Sequence, residues 1–219
     1  MDRVLENFEK IKTQIAPYTP TIVAVTKYFD ENQIIKYYNM GFRDFGENRV
    51  KDALEKMEKL PEEIMQNSRF HLIGHLQTNK VKHAVGKFDL IHSVDTTKLA
   101  KAISEEAKKQ GIVQKILLQI NNAKEEQKAG FYPEEIEDAF KEIMNLESIE
   151  ICGVMNMAPI DSSDEKLHEL FRNIKQINDV LQSEFRVELK QISMGMSRDF
   201  KIALEEGATI IRLGRILFE

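Results

Sequence analysis

Lys27 closes an apolar run, TIVAVTKYF, residues 21–29. Low-dielectric surroundings disfavour a charged amine, and a neutral amine is the nucleophile that attacks an aldehyde. Two segments near the C-terminus offer the complement. SMGMS carries the hydroxyl of Ser193 and a glycine, Gly195, and RLGR carries Arg212, Gly214 and Arg215. Glycine lets backbone approach an anion closely and form a nest of N–H donors. A lysine across from an anion site suggests a Schiff base with a phosphorylated carbonyl compound. Two ligands fit: a sugar phosphate, as in Schiff-base aldolases, or pyridoxal phosphate. Arg212 bears on the choice. If strand parity points it inward, its fixed charge can face a pyridine nitrogen and keep it unprotonated, weakening the ring as an electron sink.

Other reactive groups carry less. Glu47 can be a general base at a strand end or a carboxylate at the start of the following helix. His71 and His75 flank the same loop, but the five histidines show no metal-ligand spacing, so no metal site is expected. Cys152 is the single cysteine and sits in the apolar run IEICGVMNM, which reads as core; no intrachain disulfide can form. Lys80, Lys82 and Lys128 read as a solvated face, although a second surface cofactor site would use such residues.

These residues need a frame. Short apolar runs alternate with amphipathic stretches, the signature of βαβ units. The spacing predicts strands over 22–27, 42–45, 70–73, 90–94, 115–120, 150–155, 189–193 and 209–213. Helices are predicted over 31–40, 97–110, 133–144, 164–183 and 199–206, with another carrying Val50, Leu54 and Met57. An extra helix with Val4, Leu5, Phe8, Ile11 and Ile15 precedes them. Strands such as IVAV and ILLQI are apolar on both faces, as buried parallel strands are. Eight such units in 219 residues point to one small α/β (β/α)8 TIM barrel, residues 1–219, with an extra N-terminal helix. A doubly wound open sheet is the structural rival. In a barrel the site lies at the C-terminal ends of the strands, and phosphate is often held after strands seven and eight. Lys27, Asn48, His75, Asp95, Asn121, Asn156, SMGMS and RLGR all fall at such ends.

Bulk properties narrow the partners. The net charge is −5, so no broad basic face for nucleic acid is expected. No apolar run approaches the ~20 residues that span a bilayer. The charged start MDRVLENFEKIKTQI lacks a signal-peptide core, which with the lone cysteine suggests a cytoplasmic protein.

The motifs together resemble the YggS/PROSC family of pyridoxal phosphate homeostasis proteins. AVTKYF is similar to its lysine-bearing strand, FGENRVKD to its FGEN motif and FHLIGHLQTNK to its third-strand block. IHSVD, QINNAKEEQKAGF and GVMNMAP follow in order. ISMGMSRDFKIALEEGATIIRLGRILF resembles the C-terminal signature. The resemblance implies a single barrel like the N-terminal barrel of alanine racemase, with pyridoxal 5′-phosphate joined to Lys27. It places Arg212 at the pyridine nitrogen and Asn48 near the ring. It places Ser193, Gly214 and the Arg215 backbone at the phosphate, with Gly195 shaping that turn. Many members have threonine at the position of Arg215, and a glycine after the final phenylalanine, where this chain has Glu219.

Racemases of this fold use a second base, a tyrosine from another domain of the partner subunit. Here Tyr28 alone adjoins Lys27, and strand alternation would send it to the other face. The resemblance therefore implies a monomeric carrier in vitamin B6 homeostasis, buffering the cofactor or delivering it to apo-enzymes, with no certain catalytic residue. A weak amino-acid racemase and a sugar-phosphate aldolase are the alternatives.

Overall fold

The structure, a computed structural model, describes residues 2–219. Eight parallel strands close into a barrel in sequence order: β1 Thr21–Val25, β2 Asp44–Glu47, β3 Arg69–Leu72, β4 Leu90–Val94, β5 Gln114–Ile120, β6 Ile149–Asn156, β7 Gln191–Ser193 and β8 Ile210–Leu213. Closure comes from β1 pairing with both β2 and β8. The barrel expectation holds, and an open sheet is ruled out by that last pairing.

The helices are α1 Arg3–Gln14, α2 Glu31–Asn39, α3 Val50–Met57, α4 Glu62–Asn67, α5 Val81–Ala84, α6 Thr97–Gln110, α7 Ile136–Ile143, α8 Asp164–Phe185, α9 Phe200–Glu205 and α10 Arg215–Phe218. Helix α6 shows how the sequence sets them. Thr96 caps it by accepting from the Leu99 N–H at 3.2 Å. Leu99, Ala100, Ile103 and Ala107 then form one buried face, and Gly111 ends the helix with φ +67°. The short helices α4, α5 and α10 were not expected, because segments of four to six residues carry too little periodicity to read.

Most apolar side chains pack between strands and helices. Inside the barrel a smaller cluster holds Val23, Leu90, Leu117, Met155 and Ile210. The rest of the interior is polar: Asp44, His71, His92, Ser193 and Arg212 are all buried. Between β5 and β6 the register jumps from Ile116↔Ile151 to Leu117↔Gly153. A bulge therefore falls at Cys152, and a side chain at Gly153 would meet the Gln191 carbonyl.

Two strand boundaries move the site. β1 ends at Val25, so Lys27 stands in the turn beyond it rather than at the strand tip. β2 begins at Asp44, not Phe42, and so takes in Gly46 and Glu47. No helix among the described residues is long and apolar enough to cross a membrane.

Candidate functional site

Register places the expected residues around one mouth. Val23 pairs with Arg212 and Ala24 with Leu213, so the chain leaving β1 toward Lys27 runs beside the Gly214 turn. Val23 and Ile210 lie in the inner cluster, and the two-residue period turns Arg212 inward with Ile210. The parity question left open by the sequence is thus answered: Arg212 is 3% exposed and points into the barrel. Its Nη1 donates to the Ser193 Oγ at 2.6 Å and its Nη2 to the Asn156 carbonyl at 2.8 Å. Burial lowers its pKa to about 10, with Asp199 opposing. The other N–H groups of the guanidinium have no partner among the described residues and remain for a ligand.

Lys27 is half-buried and makes no ion pair among the described residues; its ammonium lies 4.9 Å from the centre of the Tyr28 ring. Tyr28 itself is 86% exposed. The expectation that Lys27 and Tyr28 face opposite sides fails, because alternation holds only within a strand and both residues lie in the turn after β1.

The anion end is built differently from expectation. The Gly214 N–H donates to the Ser197 Oγ at 3.3 Å and the Ile216 N–H to the same oxygen at 3.4 Å. The hydroxyl at the Gly214 turn therefore belongs to Ser197. Ser193 lies deeper, fully buried, with its oxygen taken by Arg212 and His92. Parity separates the two: Ser193 is the last residue of β7, whereas Ser197 is in the loop. Gly195 has φ +89°, and a Cβ there would come within 2.6 Å of the Ala203 Cβ, so it serves the packing of α9 rather than approach to an anion. Arg215 is exposed, its side chain has no partner among the described residues, and it starts α10. Asn48 sits at the mouth with its backbone against Gly74, where any side chain would strike the Asn48 carbonyl at 2.2 Å. Its own amide makes no hydrogen bond among the described residues.

Three candidates from the sequence have partners that it did not show. Asn156 donates to Asn122 Oδ1 at 2.8 Å, but its own Oδ1 is buried without a partner. The pattern that marked it was its place at the end of β6. Glu47 is neither mouth base nor helix cap: it faces outward from the barrel, paired with Lys56 Nζ at 2.5 Å and Thr26 Oγ1 at 2.7 Å. Burial pushes its carboxyl up, and Lys56 and Thr26 oppose this only in part. Lys56 also donates to the Thr26 carbonyl at 3.0 Å, fixing the backbone one residue before Lys27. His75 pairs with Asp95 at 3.1 Å on the loops after β3 and β4.

A hollow of about 900 Å³ lies at the opposite end of the barrel, among Asp44, Arg69, Lys115, Glu150, Cys152 and Lys190. Cys152 is half-buried there, packed against the inner cluster, and burial pushes its thiol up to about 12. No metal-ligating cluster occurs among the described residues.

Known proteins share this fold. The family model for the N-terminal domain of alanine racemase matches residues 1–219. The pyridoxal phosphate homeostasis protein of Aquifex aeolicus is 38% identical, over 100% of this chain and 95% of its own length. That of Synechocystis is 36% identical, over 92% of each. Among solved structures, PipY of Synechococcus elongatus with PLP bound superposes with a TM-score of 0.88 at 34% identity, covering 99% of this chain and 100% of that one. An alanine racemase of Clostridium difficile, 19% identical, shares the fold with a TM-score of 0.81, across 99% of this chain and 56% of its own.

Proposed function

This chain belongs to the pyridoxal phosphate homeostasis proteins of the alanine racemase N-terminal domain family, and from that premise we propose that its barrel mouth holds pyridoxal 5′-phosphate reversibly at Lys27. The role is cofactor binding and vitamin B6 homeostasis, non-catalytic or only weakly catalytic. The residues present fit the molecule. An amine with no ion pair among the described residues and an inward guanidinium held by the Ser193 hydroxyl and the Asn156 carbonyl share one mouth. Backbone N–H groups of Gly214 and Ile216 gather beside the Ser197 hydroxyl at its rim.

When bound, pyridoxal phosphate supplies an aldehyde that condenses reversibly with an amine and releases water. Lys27 is that amine. Arg212, which can only donate, holds the ring nitrogen unprotonated and so lowers electron withdrawal. The Ser197 hydroxyl, its oxygen held by the Gly214 and Ile216 N–H groups, and the Arg215 backbone N–H would receive the phosphate, and Asn48 would border the ring. Thr26, Glu47 and Lys56 keep the Lys27 turn in place from behind. The single observation that carries this reading is the inward Arg212 on β8 beside the strand that leads to Lys27. The protein works as a cytoplasmic monomer that passes the cofactor to apo-enzymes; its acidic net charge gives no broad basic face for nucleic acid.

Absorption spectra with and without added pyridoxal phosphate test the reading. Wild type gains a visible band, and borohydride attaches the cofactor to the peptide bearing Lys27; Lys27→Ala does neither. Wild type that takes up none overturns the proposal. Weak racemisation is the second reading, favoured by Tyr28 lying against Lys27. It requires Cα deuterium exchange of an added amino acid that disappears in Tyr28→Phe.

A further inference from the structure

A continuous line of hydrogen bonds, buried beyond Arg69, threads the barrel from that hollow to the mouth. Arg69 meets Asp44 through two bonds of 2.6 Å at the hollow. Asp44 Oδ1 is 3.0 Å from His71 Nε2, and His71 Nδ1 is 3.0 Å from His92 Nε2. His92 Nδ1 is 2.9 Å from the Ser193 Oγ, which accepts from Arg212. The four strands involved after Arg69 are β2, β3, β4 and β7, and β8 brings the arginine.

Donor and acceptor counting fixes every proton. Arg212 can only donate, so the Ser193 oxygen accepts from it. Ser193 is fully buried, and the acceptor in reach of its own proton is His92 Nδ1. His92 therefore carries its proton on Nε2 and donates to His71 Nδ1. His71 in turn carries its proton on Nε2 and donates to the Asp44 carboxylate. All bonds point the same way, from guanidinium to carboxylate, and such chains polarise one another. The reverse order, with a doubly protonated His71, would aim two N–H donors at Ser193 and leave its hydroxyl proton without a partner. Burial beside His71 and Arg212 holds the His92 pKa well below the usual histidine value, in keeping with a neutral ring. The charged groups facing the two rings are Asp44 and Arg69 at one end and Arg212 at the other, with Asp199 acting on Arg212.

We propose that His92, oriented through His71 by Asp44, is a positioning residue that fixes the Ser193 hydroxyl and, through it, the Arg212 guanidinium at the cofactor mouth. The inference rests on the reading of Arg212 as a cofactor contact, but its proton order stands apart from that reading. Glutamine at position 92 can preserve the order, accepting from Ser193 through its carbonyl and donating to His71 through its amide. Leucine cannot.

Two measurements test it. In cofactor-free protein, two-bond ¹⁵N–¹H correlation should show His92 protonated on Nε2 and bare on Nδ1. The Nδ1–H tautomer overturns the proposal. In the second, His92→Leu should weaken pyridoxal phosphate binding by about tenfold and shift its visible band, as loss of order around a charged donor predicts. His92→Gln should restore both. Circular dichroism confirms that each variant is folded. A folded leucine variant with wild-type affinity and spectrum, or a glutamine variant no better than leucine, overturns it. If leucine does not fold, glutamine must still keep the wild-type band and the sharp Arg212 side-chain N–H signals; broadened signals count against the proposal. If wild type takes up no cofactor, the mouth reading fails alone, and the tautomer with the Arg212 signals in the two variants decides the relay.

Discussion

Ser193 and Ser197 are four residues apart, yet their hydroxyls serve opposite ends of the site. Ser197 meets the N–H groups of Gly214 and Ile216 at the rim, while Ser193 supports Arg212 from within. Ser197→Ala should weaken pyridoxal phosphate binding by about fivefold, the worth of roughly 1 kcal/mol for one hydrogen bond, with little change in stability. A spectroscopic titration beside a thermal melt checks both parts. His92 makes a second measurable difference. At high pH it is neutral folded and unfolded and contributes no pH dependence. Below its ordinary value of 6.5 the unfolded chain takes up a proton there that the folded chain, with its depressed pKa, refuses. Stability should therefore fall with falling pH from about 6.5, by up to about 1.4 kcal/mol per unit from this residue. Urea unfolding across that range should show a slope for wild type that is smaller for His92→Gln. Asp44 adds a further loss at lower pH: burial alone would raise its pKa, but hydrogen bonds from His71 and Arg69 hold it below 3.8.

At the scale of elements, α3 reaches back to β2 through Lys56, which holds both Glu47 and the Thr26 carbonyl. Removing one member of a buried pair strands the other charge. Lys56→Met should cost about 3–5 kcal/mol in urea unfolding, and adding Glu47→Gln should recover a good part of it. A double variant as unstable as the sum would show that the pair is not coupled. The loss should also loosen the turn carrying Lys27. Much at this scale was legible beforehand: α6 matches residue for residue because cap, periodic face and closing glycine agree. β2 was misplaced by two residues because GFRDFGE has no clear edge; Phe42 is apolar and buried although it precedes the strand. Ser193 was placed at the phosphate by the SMGMS motif, and its burial against Arg212 and His92 shows only once its strand has its partners.

For the whole molecule, binding couples to stability. Pyridoxal phosphate at about a hundredfold its dissociation constant stabilises the folded chain by about 2.7 kcal/mol, which for this size corresponds to a rise of roughly 5–10 °C in Tm. Lys27→Ala should show little or none of that rise at the same concentration. Equal shifts in both proteins would mean that the cofactor binds elsewhere, for example at the surface lysines. The barrel itself explains why the mouth can be built from several different strands or their loops: closure leaves no edge and presents every strand end to one rim.

The order of apolar and amphipathic segments determined the eight-unit barrel, and the motifs in it determined the family. Those features are local or periodic, so a linear string carries them. Tertiary structure alone decided that Arg212 points inward and that the rim hydroxyl is Ser197. It also decided that Glu47 faces away from the mouth and that Asp44, His71, His92 and Ser193 form one line. Each depends on side chains from strands far apart in sequence meeting across a closed barrel, and that meeting is set by register and shear rather than by any neighbouring residue.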